Sequence, residues 1–283
     1  TDGKMALIGD AAHATTPTTD AGSPAGLRTD ERFWDAQWQE RDSRSAVQRL
    51  LHGRDFGRGG AFLRLMDRHV GLDAFAGARV VELGGASSRF LVDLALHAGA
   101  DVTAVDYSEV GVAQTLELFR RAGVAGTALL ADIFAWDGDG RPFDVVTHWG
   151  LLEHFDDPAR VLAASARLVR PGGTVVFTMP NLAAVGARLW ARTAPENFAK
   201  HVFHDDRAVA RACTAAGLTL ERTFHSGPPL VRMAPPERRS ALAVATNAAH
   251  VLLCAAGTAV PSLYGRGHPR VANTRGFVAR RPR

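Results

Sequence analysis

From residue 79 onward the chain alternates two rhythms. Short apolar runs at 79–83, 101–106, 127–131, 143–148 and 174–179 have the length and β-branched character of buried strands. The runs at 90–98, 110–122 and 159–169 instead place apolar residues at helical spacing. Strands alternating with helices predict a parallel sheet covered on both faces and joined by right-handed crossovers. Another helix is predicted at 205–216, opened by Asp205 and Asp206 as caps, with strands at 218–224 and 275–280. Leu182, Val185, Leu189 and Trp190 fit one face of a helix. Upstream, Phe33, Trp34 and Trp38 begin a helical segment, and the periodicity returns through Val47, Leu50 and Leu51 and over 61–70. The rings of that first segment fit two roles equally, packing on the core or covering a ligand.

The junction between the first strand and its helix carries chemistry. RVVELGGASSRF over 79–90 reads as strand, tight turn and helix N-terminus. Glycine at the turn lets the backbone approach a ligand, and the free N–H groups of the helix favour an electron-rich group. Twenty-two residues after Gly84, VTAVDY over 102–107 places Asp106 at a second strand end. That is the spacing of a carboxylate that takes two ribose hydroxyls. A dinucleotide fingerprint would need small residues in slots held here by Gly84, Ala86 and Arg89, and arginine fits the last one poorly. Glu82 is placed to face a cationic group, so a ligand with an ammonium, a ribose and an adenine would use both acids.

With FDVVTHWGLLEHF over 143–155 and LVRPGGTVVFTMPN over 168–181, these motifs resemble the class I S-adenosylmethionine-dependent methyltransferases across 33–281. The resemblance implies an α/β fold with a seven-stranded, Rossmann-like, doubly wound sheet. Its last strand runs antiparallel between strands five and six, with helices before the sheet and a helical cap between strands six and seven. It also implies S-adenosylmethionine as the cofactor. Gly84, Gly85 and Ala86 would give backbone access to its methionine and ribose, Glu82 would take the ammonium and Asp106 the ribose hydroxyls. Tyr107, with Ser108 beside it, would lie against the adenine. Asp132 would accept the adenine amino group, with the Ile133 N–H on the ring, and His148 and Trp149 would complete the wall. Ala86 and Ser88 depart from the family's commonest pattern, which has glycine there; the serine adds a donor.

Methyl transfer asks mainly for alignment of a nucleophile with the methyl group, but a hydroxyl or amine acceptor must also lose a proton. His148, His154, His201, His204 and Glu153 are candidate bases. His154, just past the fourth strand, and His201, on the approach to the cap, stand as the catalytic candidates. Capping or packing is an equal alternative for Glu153 and His154.

Composition narrows the classes further. The charge of +4 and pI near 9.6 suggest a polyanion partner, yet only Lys4 and Lys200 are lysines and no basic stripe interleaved with aromatics occurs. A nucleic-acid partner is therefore not expected. Cys213 and Cys254 form neither a disulfide framework nor a zinc motif, so no metal is expected and a reducing cytoplasm is. Residues 1–29 read as a leader and linker, with the working domain at 30–283 and the cap over about 227–273. GKMALIGDAAHATTP over 3–17 resembles the Gly-Asp motif of aromatic-ring flavin hydroxylases, which would make Asp10 a flavin ligand. No glycine fingerprint for an ADP half precedes it, so a poorly ordered leader is the expectation, whether from a fragment, a fusion remnant or a mis-set start. Residues 240–265 lack Asp, Glu, Lys and Arg but are too weakly apolar to span a bilayer, and read as a lid helix pair. The expected activity is methylation of O, N or C on a small molecule of specialised metabolism, with a homodimer open. The rivals are a non-methylating enzyme using the same cofactor, a flavin hydroxylase fragment and a non-catalytic partner module.

Overall fold

A computed structural model describes residues 29, 32–35, 58–229, 241–259 and 267–283. The leader with Asp10 lies outside the described residues except for Thr29, as do Trp38, Val47, Leu50 and Leu51.

Helix α1 (Arg58–His69) and a 3₁₀ turn (Leu72–Phe75) precede strand β1 (Arg79–Leu83). Helix α2 (Arg89–Ala98), β2 (Asp101–Asp106), α3 (Glu109–Ala122) and β3 (Thr127–Leu130) follow. Then come β4 (Phe143–Trp149), a 3₁₀ turn (Leu152–His154), α4 (Pro158–Leu168) and β5 (Val169–Pro180). Helices α5 (Val185–Thr193), α6 (Pro195–Phe198) and α7 (Asp206–Ala215) lead to β6 (Thr219–Ser226). Helix α8 (Ala241–Ala259) and β7 (Thr274–Arg280) end the series.

The seven strands form one sheet in the order β3-β2-β1-β4-β5-β7-β6. Strands β1 to β5 are parallel and β7 is antiparallel to both its neighbours, as the chain's rhythm and the resemblance predicted. Valines and leucines on β1, β2, β4 and β5 are sealed because helices cover both faces, producing two apolar layers. One holds Leu83, Phe177 and Phe277 against α4 and α7; the other holds Met66, Leu91 and Phe119.

One boundary differs from the sequence reading for a clear physical reason. Strand β5 begins five residues early, because Pro171, Gly172 and Gly173 form a bulged entry to the strand. Gly172 has φ +74°, and a Cβ on Gly173 would stand 2.8 Å from the Asp144 carbonyl, so glycine is required at both positions. Of the predicted lid pair, one helix, α8, falls among the described residues. No described helix is long and apolar enough to cross a membrane.

Strand order reverses between β1 and β4, since β1 leads outward to β2 on one side while β4 starts the other half. The crevice at the carboxyl ends of these strands is where an open α/β sheet binds its ligand.

Candidate active site

The turn after β1 is built against its own neighbours. Gly84 has φ +67°, and a Cβ on Gly85 would meet the Glu82 carbonyl at 2.9 Å and Ala104 Cβ at 3.1 Å. Both glycine N–H groups donate to the Val105 carbonyl, at 2.8 and 3.1 Å. Thr115 of α3 braces the next residues: its Oγ1 accepts from the Ser87 N–H at 2.6 Å and donates to the Gly111 carbonyl at 2.8 Å. Ser87 takes φ +54°, a left-handed conformation that this bracing holds.

Ser88, where glycine is common in the resembling family, has two jobs. Its Oγ accepts from the Leu91 N–H, capping α2, and donates to Glu82 Oε2 at 2.5 Å. Glu82 is almost fully buried at the end of β1, and burial pushes its carboxyl up to about 8 despite that hydrogen bond. Asp106 sits at the end of β2, where its two oxygens accept from the Ala86 N–H at 3.0 Å and the Ser108 N–H at 2.9 Å. Burial raises it to about 6. A carboxylate offers about four lone-pair sites, and the N–H groups of Ala86, Ser108 and Tyr107, which all lower this carboxyl, leave part of that capacity for hydroxyl donors. Ser108 caps α3.

Strand β4 delivers the other wall. Gly150, with φ +73°, turns the chain into the 3₁₀ segment Leu152–His154, and Leu151 packs over Gly84. Glu153 is 2% exposed, its Oε2 has no hydrogen-bond partner, and burial raises it to about 8. His154 is also buried and is held neutral, its imidazole lowered to about 3 by desolvation. Its Nδ1 lies 3.3 Å from the Lys200 carbonyl. His201 approaches from the segment after α6, its ring centroid 4.8 Å from that of His154 and its Nδ1 2.9 Å from the Asn197 carbonyl. The two catalytic candidates, 47 positions apart, thus meet in space.

A helical turn over 32–35 straps these parts together. Trp34 packs edge-on against His154 at 5.2 Å and donates from Nε1 to Thr29 Oγ1 at 3.0 Å. Ser108 Oγ–H donates to Asp35, and Lys200 Nζ lies 3.7 Å from the centre of the Phe33 ring. Tyr107 Oη reaches the Thr29 carbonyl at 3.5 Å. The aromatic strap therefore bridges the ends of β2 and β4.

Other expected residues make contacts of their own. Asp132 is exposed, and its Oδ1 accepts from the Phe134 N–H at 2.9 Å, tying a turn after β3; the Ile133 side chain joins the core. Trp149 packs edge-on against Phe62 and Phe90, with its buried indole N–H on the Glu82 side, where it draws that carboxyl's pKa down. The His148 ring is packed differently. It is sealed in the core, stacked on Phe177 at 4.9 Å, with neither ring nitrogen hydrogen-bonded and its imidazole lowered to about 3 by burial. The two-residue period of β4 turns its ring into the layer that holds Phe177. His204 is likewise occupied, with Nε2 3.0 Å from the Phe155 carbonyl.

The residues fit a cationic adenosine ligand by their own chemistry. Among the described residues no ion pair includes Glu82, Asp106 or Glu153. Buried acids without a counter-charge favour a positive partner. S-adenosylmethionine carries an ammonium and a sulfonium for those acids and a diol for Asp106.

The sequence pattern of the methyltransferase-domain family matches residues 43–223. The chain is 38% identical over 164 residues to a ubiquinone biosynthesis O-methyltransferase of Aromatoleum aromaticum, covering 54% of this chain and 68% of the relative. Against the same-named protein of Burkholderia thailandensis it is 32% identical over 209 residues, covering 68% and 83%. In fold it is similar to magnesium protoporphyrin IX methyltransferase of Synechocystis, solved with S-adenosylhomocysteine, with TM-score 0.56 at 14% identity, covering 89% of this chain and 97% of that one. It is also similar in fold to the [4+2]-cyclase SpnF, with TM-score 0.55 at 18% identity, covering 79% and 80%.

Proposed function

Because the chain belongs to the methyltransferase-domain family and is an S-adenosylmethionine-dependent methyltransferase acting on a small molecule, we propose that its acceptor atom is a hydroxyl oxygen. We propose further that the acceptor enters between the aromatic strap and the Glu153–His154–His201 cluster. Bound S-adenosylmethionine supplies a methyl group already activated on a sulfonium. Glu82, held by Ser88, takes the ammonium, while Asp106 takes the ribose hydroxyls through the lone pairs that its backbone donors leave open. Tyr107 faces the adenine.

One observation carries this assignment: two buried acids, without counter-charges, stand on neighbouring parallel strand ends above a glycine turn. Trp34, Phe33 and Leu151 keep water from the reacting atoms. His154 is neutral at physiological pH, so its ring adds no positive charge against the sulfonium and keeps an unprotonated nitrogen on the acceptor side. The names of the curated relatives support oxygen over nitrogen or carbon.

The test is calorimetry with S-adenosylhomocysteine on the unmutated chain and on Asp106→Ala, followed by mass spectrometry of hydroxylated candidate acceptors. The proposal requires product heavier by one CH₂ with the methyl carbon attached to oxygen. Binding with no mass gain on any acceptor would favour a non-methylating use of the cofactor.

A further inference from the structure

Glu153, His154 and His201 come from two separate segments, yet one potential ligand atom from each lies within 4.8 Å of the others. Two further observations separate this cluster from ordinary packing. Glu153 is 2% exposed, and its Oε2 has no hydrogen-bond partner. A buried carboxyl oxygen without a donor is costly unless a cation or donor arrives. The second observation concerns the rings. His154 Nδ1 faces the Lys200 carbonyl at 3.3 Å and His201 Nδ1 faces the Asn197 carbonyl at 2.9 Å. Each carbonyl fixes the proton on Nδ1 and leaves the Nε2 lone pair available, the arrangement that orients metal-ligating histidines.

We infer that Glu153, His154 and His201 form a binding site for a divalent cation of the zinc class, with an open position for an oxygen of the acceptor. Two imidazoles and one carboxylate suit such an ion better than Mg²⁺ or Ca²⁺, which prefer oxygen. Three ligand atoms at about 2.0–2.2 Å from a common ion stand about 3.4 Å apart, so the widest pair must close by no more than about 1.4 Å. Rotation of the Glu153 side chain, whose Oε1 lies beside Gly150, supplies motion of that size. Three protein ligands leave a fourth position open, as in catalytic sites.

This assignment rests on the proposed acceptor pocket and deepens it. A hydroxyl held by the cation loses its proton to solvent water more readily, as zinc-bound water does when its pKa falls from 15.7 to about 7. The oxygen's freed electron pair forms the bond to the methyl carbon, the carbon–sulfur bond breaks, and sulfur keeps that pair. The products are a methyl ether, a neutral thioether and one proton.

The experiment uses the purified chain stripped with EDTA and titrated with Co²⁺ alone, following its visible d–d absorption, with S-adenosylhomocysteine calorimetry run in parallel. The expected result is saturation at one Co²⁺ per chain, displaced by Zn²⁺, and weakened about 10- to 100-fold or more in both Glu153→Gln and His201→Asn. Each variant's melting curve and its S-adenosylhomocysteine affinity show that it is folded. No saturable Co²⁺ band in a chain that binds S-adenosylhomocysteine would overturn the metal site and leave the methyltransferase assignment standing. Equal Co²⁺ affinity in folded variants would overturn it too. Loss of S-adenosylhomocysteine binding by the unmutated chain would instead strike the cofactor assignment, a separate readout.

Discussion

Glu82 gives the sharpest test of the cofactor assignment, because its protonation should change when the cofactor binds. With no ligand its carboxyl sits near 8, raised chiefly by burial and opposed by the Ser88 hydroxyl. At pH 7 a group of that pKa is about nine-tenths protonated, and Asp106, near 6, is about one-tenth protonated. An ammonium seated against Glu82 favours the anion, so binding should expel about one proton per ligand. The measurement is titration calorimetry with S-adenosylhomocysteine at pH 7 in buffers of different ionisation enthalpy, whose slope counts the protons. In Glu82→Gln the count should fall to about 0.1, the share belonging to Asp106, and affinity should drop about 10- to 150-fold through loss of a charged hydrogen bond. Affinity of the unmutated chain should tighten about 17-fold from pH 6 to pH 7, about ninefold from Glu82 and about twofold from Asp106. An unchanged proton count in Glu82→Gln would refute the reasoning, whatever happened to the affinity.

The same linkage sets the ligand-free stability. Glu82 and Glu153, each near 8 in the fold against 4.5 for an unperturbed glutamate, bind more protons folded than unfolded between those values. Their contribution is complete below about 4.5 and lost as pH rises through about 8, so the ligand-free Tm should fall between pH 5.5 and 8.5. S-adenosylhomocysteine should raise Tm most at the alkaline end, where Glu82 is already ionised; a pH-independent Tm would contradict these positions for the two acids.

Three substitutions test other parts. Asp106→Ala removes the acceptor of two backbone N–H groups and of the ribose diol, and should weaken S-adenosylhomocysteine by about a hundredfold or more on calorimetry. Gly85→Ala drives a Cβ into the Glu82 carbonyl at 2.9 Å, and should cost about 1–3 kcal/mol in denaturant unfolding while also weakening the cofactor. His148→Leu removes two buried ring nitrogens without hydrogen bonds and should raise Tm by about 2–4 °C with cofactor affinity and turnover intact; a collapse in turnover would restore a catalytic role to that ring.

The sheet was legible because each strand's apolar run is bounded by a turn, and the strands are buried on both faces by helices whose own periodicity is clear. The acids at 82 and 106 were legible for the same reason: a strand end fixes where a residue stands, and their spacing follows from one helical crossover. The direction of a side chain was less accessible. His148 and Trp149 are adjacent letters at one strand end, and the two-residue period sends one into the core and the other toward the crevice, a sorting that needs the register with β5. The expected role of Ser88 was general, a donor in place of a glycine; that it caps α2 and holds Glu82 depends on the turn geometry around Ser87.

The Glu153–His154–His201 cluster shows the limit in its strongest form. His201 follows α5 and the four-residue α6, and no hydrophobic period specifies the path from α5 back to the sheet; it reaches His154 because Trp190 and Asn197 hold its ring while the Val202 N–H donates to the Glu153 carbonyl at 2.7 Å. A ligand search along the letters expects cysteines or histidines at short, regular intervals, whereas here one backbone hydrogen bond joins the two segments. That bond links the ion-binding question to folding: a substitution that loosens the 195–202 segment should separate the histidines while leaving Glu82 and Asp106 in place. Trp190→Ala, which removes the ring packed 4.6 Å from His201, should therefore weaken Co²⁺ by more than it weakens S-adenosylhomocysteine. If both ligands weakened equally, the two halves of the crevice would be one cooperative unit, and the separation of a cofactor wall from an acceptor wall would fail.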